Sequence, residues 1–373
     1  MVEPNGVSHS STRPARTTRS SSKRRTTARD VPRLLVAPDK FRGTATAIEI
    51  CRAVTEAASW WGWASTELPL ADGGEGTLDV LGGPNRTSTV DGPLGDAVEA
   101  RWRFDGRTAV IEMARASGLA LVGGAAGNDP IAASTYGTGE LIAEALEVGA
   151  KRIIVGAGGS ATTDGGLGAL RALFPPGRLR GVELLVACDV RLLFRDAAEV
   201  FAPQKGASPA QVELLRRRLD TLVGTYLETY GVDVSELVGG GAAGGLGGGL
   251  AAVGARLTSG FDLIAEELEL DEAIEASSLV VTGEGFLDRE SFDGKVVGGV
   301  IDAADAAGVA VLVIAGDVVD DISSHLGSVS VPVEVVSLTA RFGAERSHAD
   351  TLGCIAEVID AHLAAMPQAE RRT

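Results

Sequence analysis

The chain has 373 residues, 45% of them hydrophobic and 4% aromatic, with a formal net charge of −16. That length spans two folded units of ordinary size, and a composition rich in Ala, Val, Leu and Gly suits stacked α/β layers better than a sandwich or a membrane bundle. The acidic balance excludes a nucleic-acid surface, which phosphate repulsion would oppose, but leaves room for a small phosphorylated ligand at a local positive site.

Cys51, Cys188 and Cys354 are far apart and form no CxxC. They predict neither a disulfide framework nor a thiolate zinc site, and they fit a reducing, cytoplasmic compartment. No run of 18 uncharged apolar residues occurs, so no membrane span is expected. A homodimer is compatible with these features and is not fixed by them.

In chain order, residues 1–32 are rich in Ser, Thr, Arg and Pro without hydrophobic periodicity, and seven Lys/Arg face two acids over 1–31. This reads as a disordered basic tail. RLLVAPD (33–39) is a buried-type strand, and Thr46-Ala47-Ile48-Glu49 is a capping-box pattern that opens a helix to about Trp60. STELPLA (65–71), AVIEMA (109–114), RIIVGA (152–157) and ELLVACD (183–189) read as further strands. Ser208-Pro209-Ala210-Gln211 starts a helix running to about residue 230. Residues 239–249, GGGAAGGLGGG, hold eight glycines in eleven positions; they read as a close-approach segment before a helix in LAAVGARL. SLVVTGEG (278–285), AVLVIAG (310–316) and VEVVSLT (333–339) then alternate with helices near 295–307 and 348–364, with a short one between.

That alternation predicts βαβ units and a parallel sheet. The expected fold is therefore α/β with two α/β domains. One is Rossmann-like, its parallel sheet built from both chain ends (33–70 with 276–373), and the second (71–275) is inserted into it.

In open α/β sheets ligands bind beyond the carboxyl ends of the strands. Those positions carry Asp39, Lys40 and Arg42; Asp72 and Glu75; Ser160 and Asp164; Asp189; Glu284, Asp288 and Lys295; and Asp317. Acid, glycine and hydroxyl recur together at six strand ends. The combination suits phosphoryl transfer, which needs amides and cations around phosphate oxygens, carboxylates for Mg2+ and a carboxylate to take a hydroxyl proton. No P-loop motif is present. Gly156, Gly158 and Ala161 satisfy G-x-G-x-x-A, a weak dinucleotide signal in a chain with 49 glycines. His9, His325, His348 and His362 lie away from the Gly-rich turns and lack metal-ligand spacing.

VAPDKFRGTATA, LPLADGGEGT, DGPLG, IEMARASGLAL, STYGTGELI, GGSATTDGG, ACDV, FAPQKGAS, GAAGGLGGGL and TGEGFLDRESFDGK follow one another in this order. Over about residues 33–365 this set closely resembles the bacterial glycerate kinase family, the kind without a P-loop. The resemblance implies ATP- and Mg2+-dependent phosphorylation of D-glycerate, usually to 2-phosphoglycerate with 3-phosphoglycerate also assigned, in a cleft between two α/β domains. Three departures stand out: Arg42 where the family commonly has Lys, Glu290 where Gln is frequent, and a shortened segment, LGALRALFPPGRLRGVE, after GGSATTDGG.

On this resemblance glycerate is expected near Ser160, Asp164 and Asp189, with Asp39, Asp72 and Lys205 also substrate-binding and Arg42 or Lys295 holding a carboxylate or phosphate. Asp189 is the candidate general base or metal ligand, and Lys295 joins it as a catalytic candidate. Gly283, Glu284 and Gly285 are expected on the nucleotide and Asp288 on the metal. An NAD-dependent oxidoreductase of a hydroxy acid, or a non-catalytic hydroxy-acid sensor on the same fold, are the alternatives.

Overall fold

The computed structural model describes residues 31–292 and 294–366. The basic tail read in residues 1–32 falls outside the described residues except for Val31 and Pro32. The described strands, in chain order, are β1 (Arg33–Val36), β2 (Ala64–Glu67), β3 (Arg86–Asp91), β4 (Ala97–Phe104), β5 (Thr108–Glu112), β6 (Arg152–Gly156), β7 (Glu183–Ala187), β8 (Arg256–Thr258), β9 (Leu279–Leu287), β10 (Ala310–Val318) and β11 (Val333–Ser337).

They form two sheets. The first, in order β11-β10-β9-β1-β2, is parallel throughout and draws its strands from both ends of the chain. The second, β3-β4-β5-β6-β7-β8, is mixed: β5 to β8 are parallel, and β3 and β4 add an antiparallel edge.

The central strands of the first sheet, β1, β9 and β10, are buried on both faces, which is why they read as apolar runs, whereas the edge strands β2 and β11 are largely exposed or half-buried. Leu34, Val36 and Val281 pack on helices Ala47–Trp60 and Thr351–Ala365 through Ile50, Val54, Ile355 and Val358. Leu35, Val280 and Val313 turn the other way, toward Val297, Val300 and Ile301 of helix Val296–Ala307. Each fully buried side chain of this size contributes about 1.5–3 kcal/mol. In the second sheet Ile111, Ile153 and Val186 pack on Leu141 and Ile142 of helix Tyr136–Glu147 and on Leu246 and Leu250 of helix Ala242–Ala252. Helix Gly260–Glu267 joins the sheets: Phe261 and Ile264 enter the core of the first, Leu263 that of the second.

Both expected capping boxes form. Thr46 Oγ1 accepts the Glu49 amide and Glu49 Oε2 accepts the Thr46 amide at 2.9 Å. Ser208 and Gln211 repeat the arrangement, with Pro209 in the first turn of helix Pro209–Tyr230. Strand β2 ends at Glu67, short of the expected 71, although the Leu68 and Leu70 amides still bond to Val36 and Pro38 carbonyls. LAAVGARL is not one helix: the helix stops at Ala252, and Arg256–Thr258 turn into β8. Strands β3 and β4 and helix Tyr136–Glu147 went unread, because their mostly exposed or Gly-interrupted patterns carry no strong period.

The Gly-rich run is the close-approach segment, not a linker. All of Ala242–Leu250 is buried, and Ala243, Gly244 and Gly245 adopt left-handed backbone. A Cβ on Gly244 would lie 2.0 Å from the Thr162 carbonyl oxygen, and one on Gly249 2.5 Å from that of Gly165. Gly249→Ala is therefore expected to cost about 2–4 kcal/mol of folding stability. Gly224→Ala, on the exposed side of Pro209–Tyr230 with nothing within 4 Å of the new methyl, should instead gain about 0.5–1 kcal/mol. Urea melts of both variants read the difference, and equal midpoints would contradict the packing.

Candidate active site

The turn after β2, Asp72-Gly73-Gly74-Glu75-Gly76, leaves the first sheet and lies across the carboxyl ends of β6 and β7 in the second. A Cβ on Gly73 would touch Ala187 at 3.0 Å, one on Gly158 would meet Gly74 Cα at 2.6 Å, and one on Gly260 would meet the Asp72 carbonyl oxygen at 2.1 Å. Gly73 and Gly76 have φ of +83° and +99°, which only glycine adopts cheaply. The turn is thus pressed against the second sheet and helix Gly260–Glu267, while Asp72 faces Lys40 beyond the end of β1 in the first.

Four acids gather there. Asp39 Oδ1 accepts the Lys40 amide at 2.7 Å and faces Lys40 Nζ at 3.4 Å; the same ammonium lies 3.6 Å from Asp72 Oδ1. Burial pushes the Asp39 carboxyl up to about 6, with Lys40 opposing and Asp72 adding to the shift. Asp189, just past β7, accepts the Gly260 amide at 3.0 Å. Burial raises it to about 7; the Asp72 charge adds to this, while the Gly260 and Phe261 amides and Lys295 oppose. Glu284, on β9, is also raised to about 7, first by burial, with Ser291 and Lys295 opposing and Asp39 and Asp288 adding. Its Oε1 is buried without a hydrogen-bond partner. Lys295 stands at the start of helix Val296–Ala307, 3.4 Å from Glu290 Oε2. Several carboxyls held near neutrality beside two lysines are the signature of a site that moves protons or binds a charged ligand.

Ser160, Asp164 and Lys205 form a second group. Asp164 Oδ2 accepts the Thr135 amide and hydroxyl, each at 2.8 Å, and the Gly168 amide at 3.1 Å; Oδ1 accepts the Gly166 amide at 3.0 Å. It organises the GGSATTDGG turn and the start of helix Leu167–Ala172. Lys205 is buried and donates to Ser160 Oγ at 2.7 Å and to the Thr162 carbonyl at 2.6 Å; burial lowers its pKa to about 7. The Gly74–Gly158 contact ties this group to the acid cluster.

The remaining candidates are placed as follows. Arg42 is exposed, close enough to Lys40 to oppose its charge. Gly283 and Gly285 admit neighbouring backbone: the Gly283 carbonyl accepts the Asp39 amide at 2.9 Å, and a Cβ on Gly285 would lie 3.2 Å from the Arg42 amide. Asp288 Oδ1 accepts the amide and hydroxyl of Ser291. The space a dinucleotide pyrophosphate would need beside Gly158 is filled by Gly74, so the G-x-G pattern is a packing device. Two surface grooves, one along helix Ala47–Trp60 and one along Gly260–Glu267, are lined by none of these acids. The second carries five carboxylates, Asp262, Glu266, Glu269, Asp271 and Glu272, but no lysine or arginine among its lining residues.

Sequence reasoning passed over Glu112. It is the last residue of β5 and buried, and it accepts the Gly76 and Leu78 amides. The rule that singled out the other strand-end acids applies equally to it.

The glycerate kinase family profile matches residues 34–174 and 176–351, breaking only at Pro175 inside the shortened segment. The chain is 39% identical over 335 residues to the glycerate 2-kinase of Escherichia coli (strain K12), covering 78% of this chain and 86% of that one. It is 38% identical over 329 residues to the glycerate kinase of Bacillus subtilis (strain 168), with the same coverage. A crystal structure from Salmonella typhimurium LT2, described as a candidate glycerate kinase 2, superimposes with a TM-score of 0.77 at 31% identity, over 92% of this chain and all of that one.

The raised Asp189 pKa sets a stability test. Its folded value of about 7 lies above the ordinary 3.8, so its contribution is fully present at low pH and is lost as pH rises through 7. Asp189→Asn, neutral at every pH and still able to accept the Gly260 amide, is expected to resist urea better than the parent at pH 8 and equally at pH 4. A variant less stable at pH 8 would overturn the burial argument.

Proposed function

The chain belongs to the glycerate kinase family and is an enzyme that phosphorylates glycerate; from that premise we propose that it uses Mg-ATP, makes 2-phosphoglycerate and works where the strand ends of its two sheets meet. The carrying observation is the convergence of Asp39, Asp72, Asp189 and Glu284, three of them raised toward neutrality, with Lys40 and Lys295 on one glycine turn.

Asp189 takes the proton of the attacking hydroxyl; a carboxylate with a pKa of about 7 accepts a proton at neutral pH far better than one near 4. Lys295 and the free amides opening helix Val296–Ala307 hold phosphate oxygens, where the helix dipole and the ammonium act together. Lys40 and Arg42 hold the glycerate carboxylate, and Asp39 and Asp72 fix the Lys40 ammonium and bind substrate hydroxyls. Ser160, Asp164 and Lys205 shape the turn that closes the substrate side.

Among the described residues no three His, Cys, Asp or Glu side chains form a metal cage. Mg2+ does not need one, since it binds through one or two carboxylates together with substrate phosphates. The unpaired Glu284 Oε1 fits that role, with Asp288 beside it and Gly283 and Gly285 bringing the backbone close to the nucleotide. Mg2+, when bound, neutralises charge on the transferring phosphoryl group.

Phosphorus and proton NMR of the product formed from D-glycerate and Mg-ATP should show the phosphoryl group coupled to the C2 proton. Coupling to the C3 protons would reverse the regiochemistry. Asp189→Asn is expected to lower kcat by about 100-fold or more while the far-ultraviolet spectrum is kept, and near-parental turnover would remove Asp189 from the reaction. Lys295→Met should raise KM for ATP more than that for glycerate in the same assay.

A further inference from the structure

Glu112 lies at the end of β5, paired with Gly156 of β6, and is 3% exposed. Its Oε1 accepts the Gly76 amide at 3.0 Å and the Leu78 amide at 2.9 Å; its Oε2 accepts Arg115 Nε at 2.9 Å. The rest of the Asp72–Gly76 turn meets the second sheet through backbone contacts at glycine, which exclude wrong positions but have little direction. The Glu112 carboxylate supplies the directional bonds, and charged acceptors make the strongest of these.

We propose that Glu112 is a positioning residue for the reaction: it reaches from the second sheet to the turn that carries Asp72 and so fixes the Asp72 charge beside Asp189. This rests on the assignment of Asp189 as proton acceptor. The charges that act most on Asp189 are Asp72, which raises it, and Lys295, which lowers it; the Gly260 and Phe261 amides oppose the shift, and the Cys188 thiol is raised in turn by Asp189.

With Asp72 fixed, the acid limb of the pH–rate profile stands higher than it would with that charge withdrawn. Glu112→Ala is expected to lower kcat/KM about tenfold and to move the acid limb to lower pH. Glu112→Gln, which keeps an acceptor oxygen, should do less of both. In an Asp72→Asn background, Glu112→Ala should move the limb no further, because the charge it positions is already gone. Amide hydrogen exchange at Gly76 and Leu78, measured without substrate, should quicken in Glu112→Ala. If that variant fails to fold, Arg115→Met leaves the carboxylate without its cation and should shift the limb the same way by a smaller amount.

An unmoved acid limb in Glu112→Ala, or a full shift that persists in Asp72→Asn, overturns the proposal. Unchanged exchange at Gly76 and Leu78 overturns the contact itself. A parent enzyme that turns over glycerate with no acid limb overturns the Asp189 assignment and this role with it, whereas one with no glycerate turnover at all overturns the kinase reading.

Discussion

Contact between bare backbones governs this molecule. The Asp72–Gly76 turn, the Gly156–Gly166 turn and the left-handed stretch at Ala243–Gly245 are pressed together closely enough that a single methyl at Gly74's partner Gly158, at Gly244 or at Gly260 would overlap a main-chain atom. Close packing of this kind removes water from the strand ends without spending side chains on the task. What gathers at the strand ends is carboxylates and two lysines.

The electrostatics follow from that exclusion of water. Asp189 and Glu284 are held near neutrality mainly by burial, with other carboxylates adding to the shift. Each is uncomfortable when ionised, and a charged ligand with its counter-ion relieves the discomfort. Asp164 has different surroundings: four donors bond its two oxygens, and all of them come from its own fold. Two aspartates at neighbouring strand ends thus read alike in sequence and differ in surroundings. Only hydrogen-bond partners distinguish them, and those partners, Thr135 and the amides of Gly166 and Gly168, come partly from distant segments.

The same distinction marks how far the sequence could be read. The apolar runs of β1, β6, β7, β9 and β10 and both capping boxes were legible, because a buried parallel strand and a helix start each impose a local pattern. Strands β3 and β4 were not, because a half-exposed antiparallel edge tolerates Arg and Thr on its open side. Acids at strand ends were visible as a set, and the contacts that bring Asp39, Asp72, Asp189 and Glu284 together were not, since they are made between segments far apart in the chain and leave no local pattern. Glu112 had the same local signature as the others, yet its partners Gly76 and Leu78 lie more than thirty residues earlier in the chain, where no local pattern points to them.

The shortened segment has a definite place in this architecture. Helix Leu167–Ala172 carries the chain away from the GGSATTDGG turn, so Phe174 and Pro175 lie on the return path to the amino end of β7, at the edge of the sheet opposite Asp189. Phe174 is 74% exposed, and the family match breaks at the next residue. Chain length can vary at that edge without moving the strand-end acids, because the two ends of a parallel strand lie a strand's length apart. The junction is accordingly a natural port for grafting: a reporter or a second binding module spliced between Phe174 and Pro175 would sit at the far end of the strands from the acid cluster.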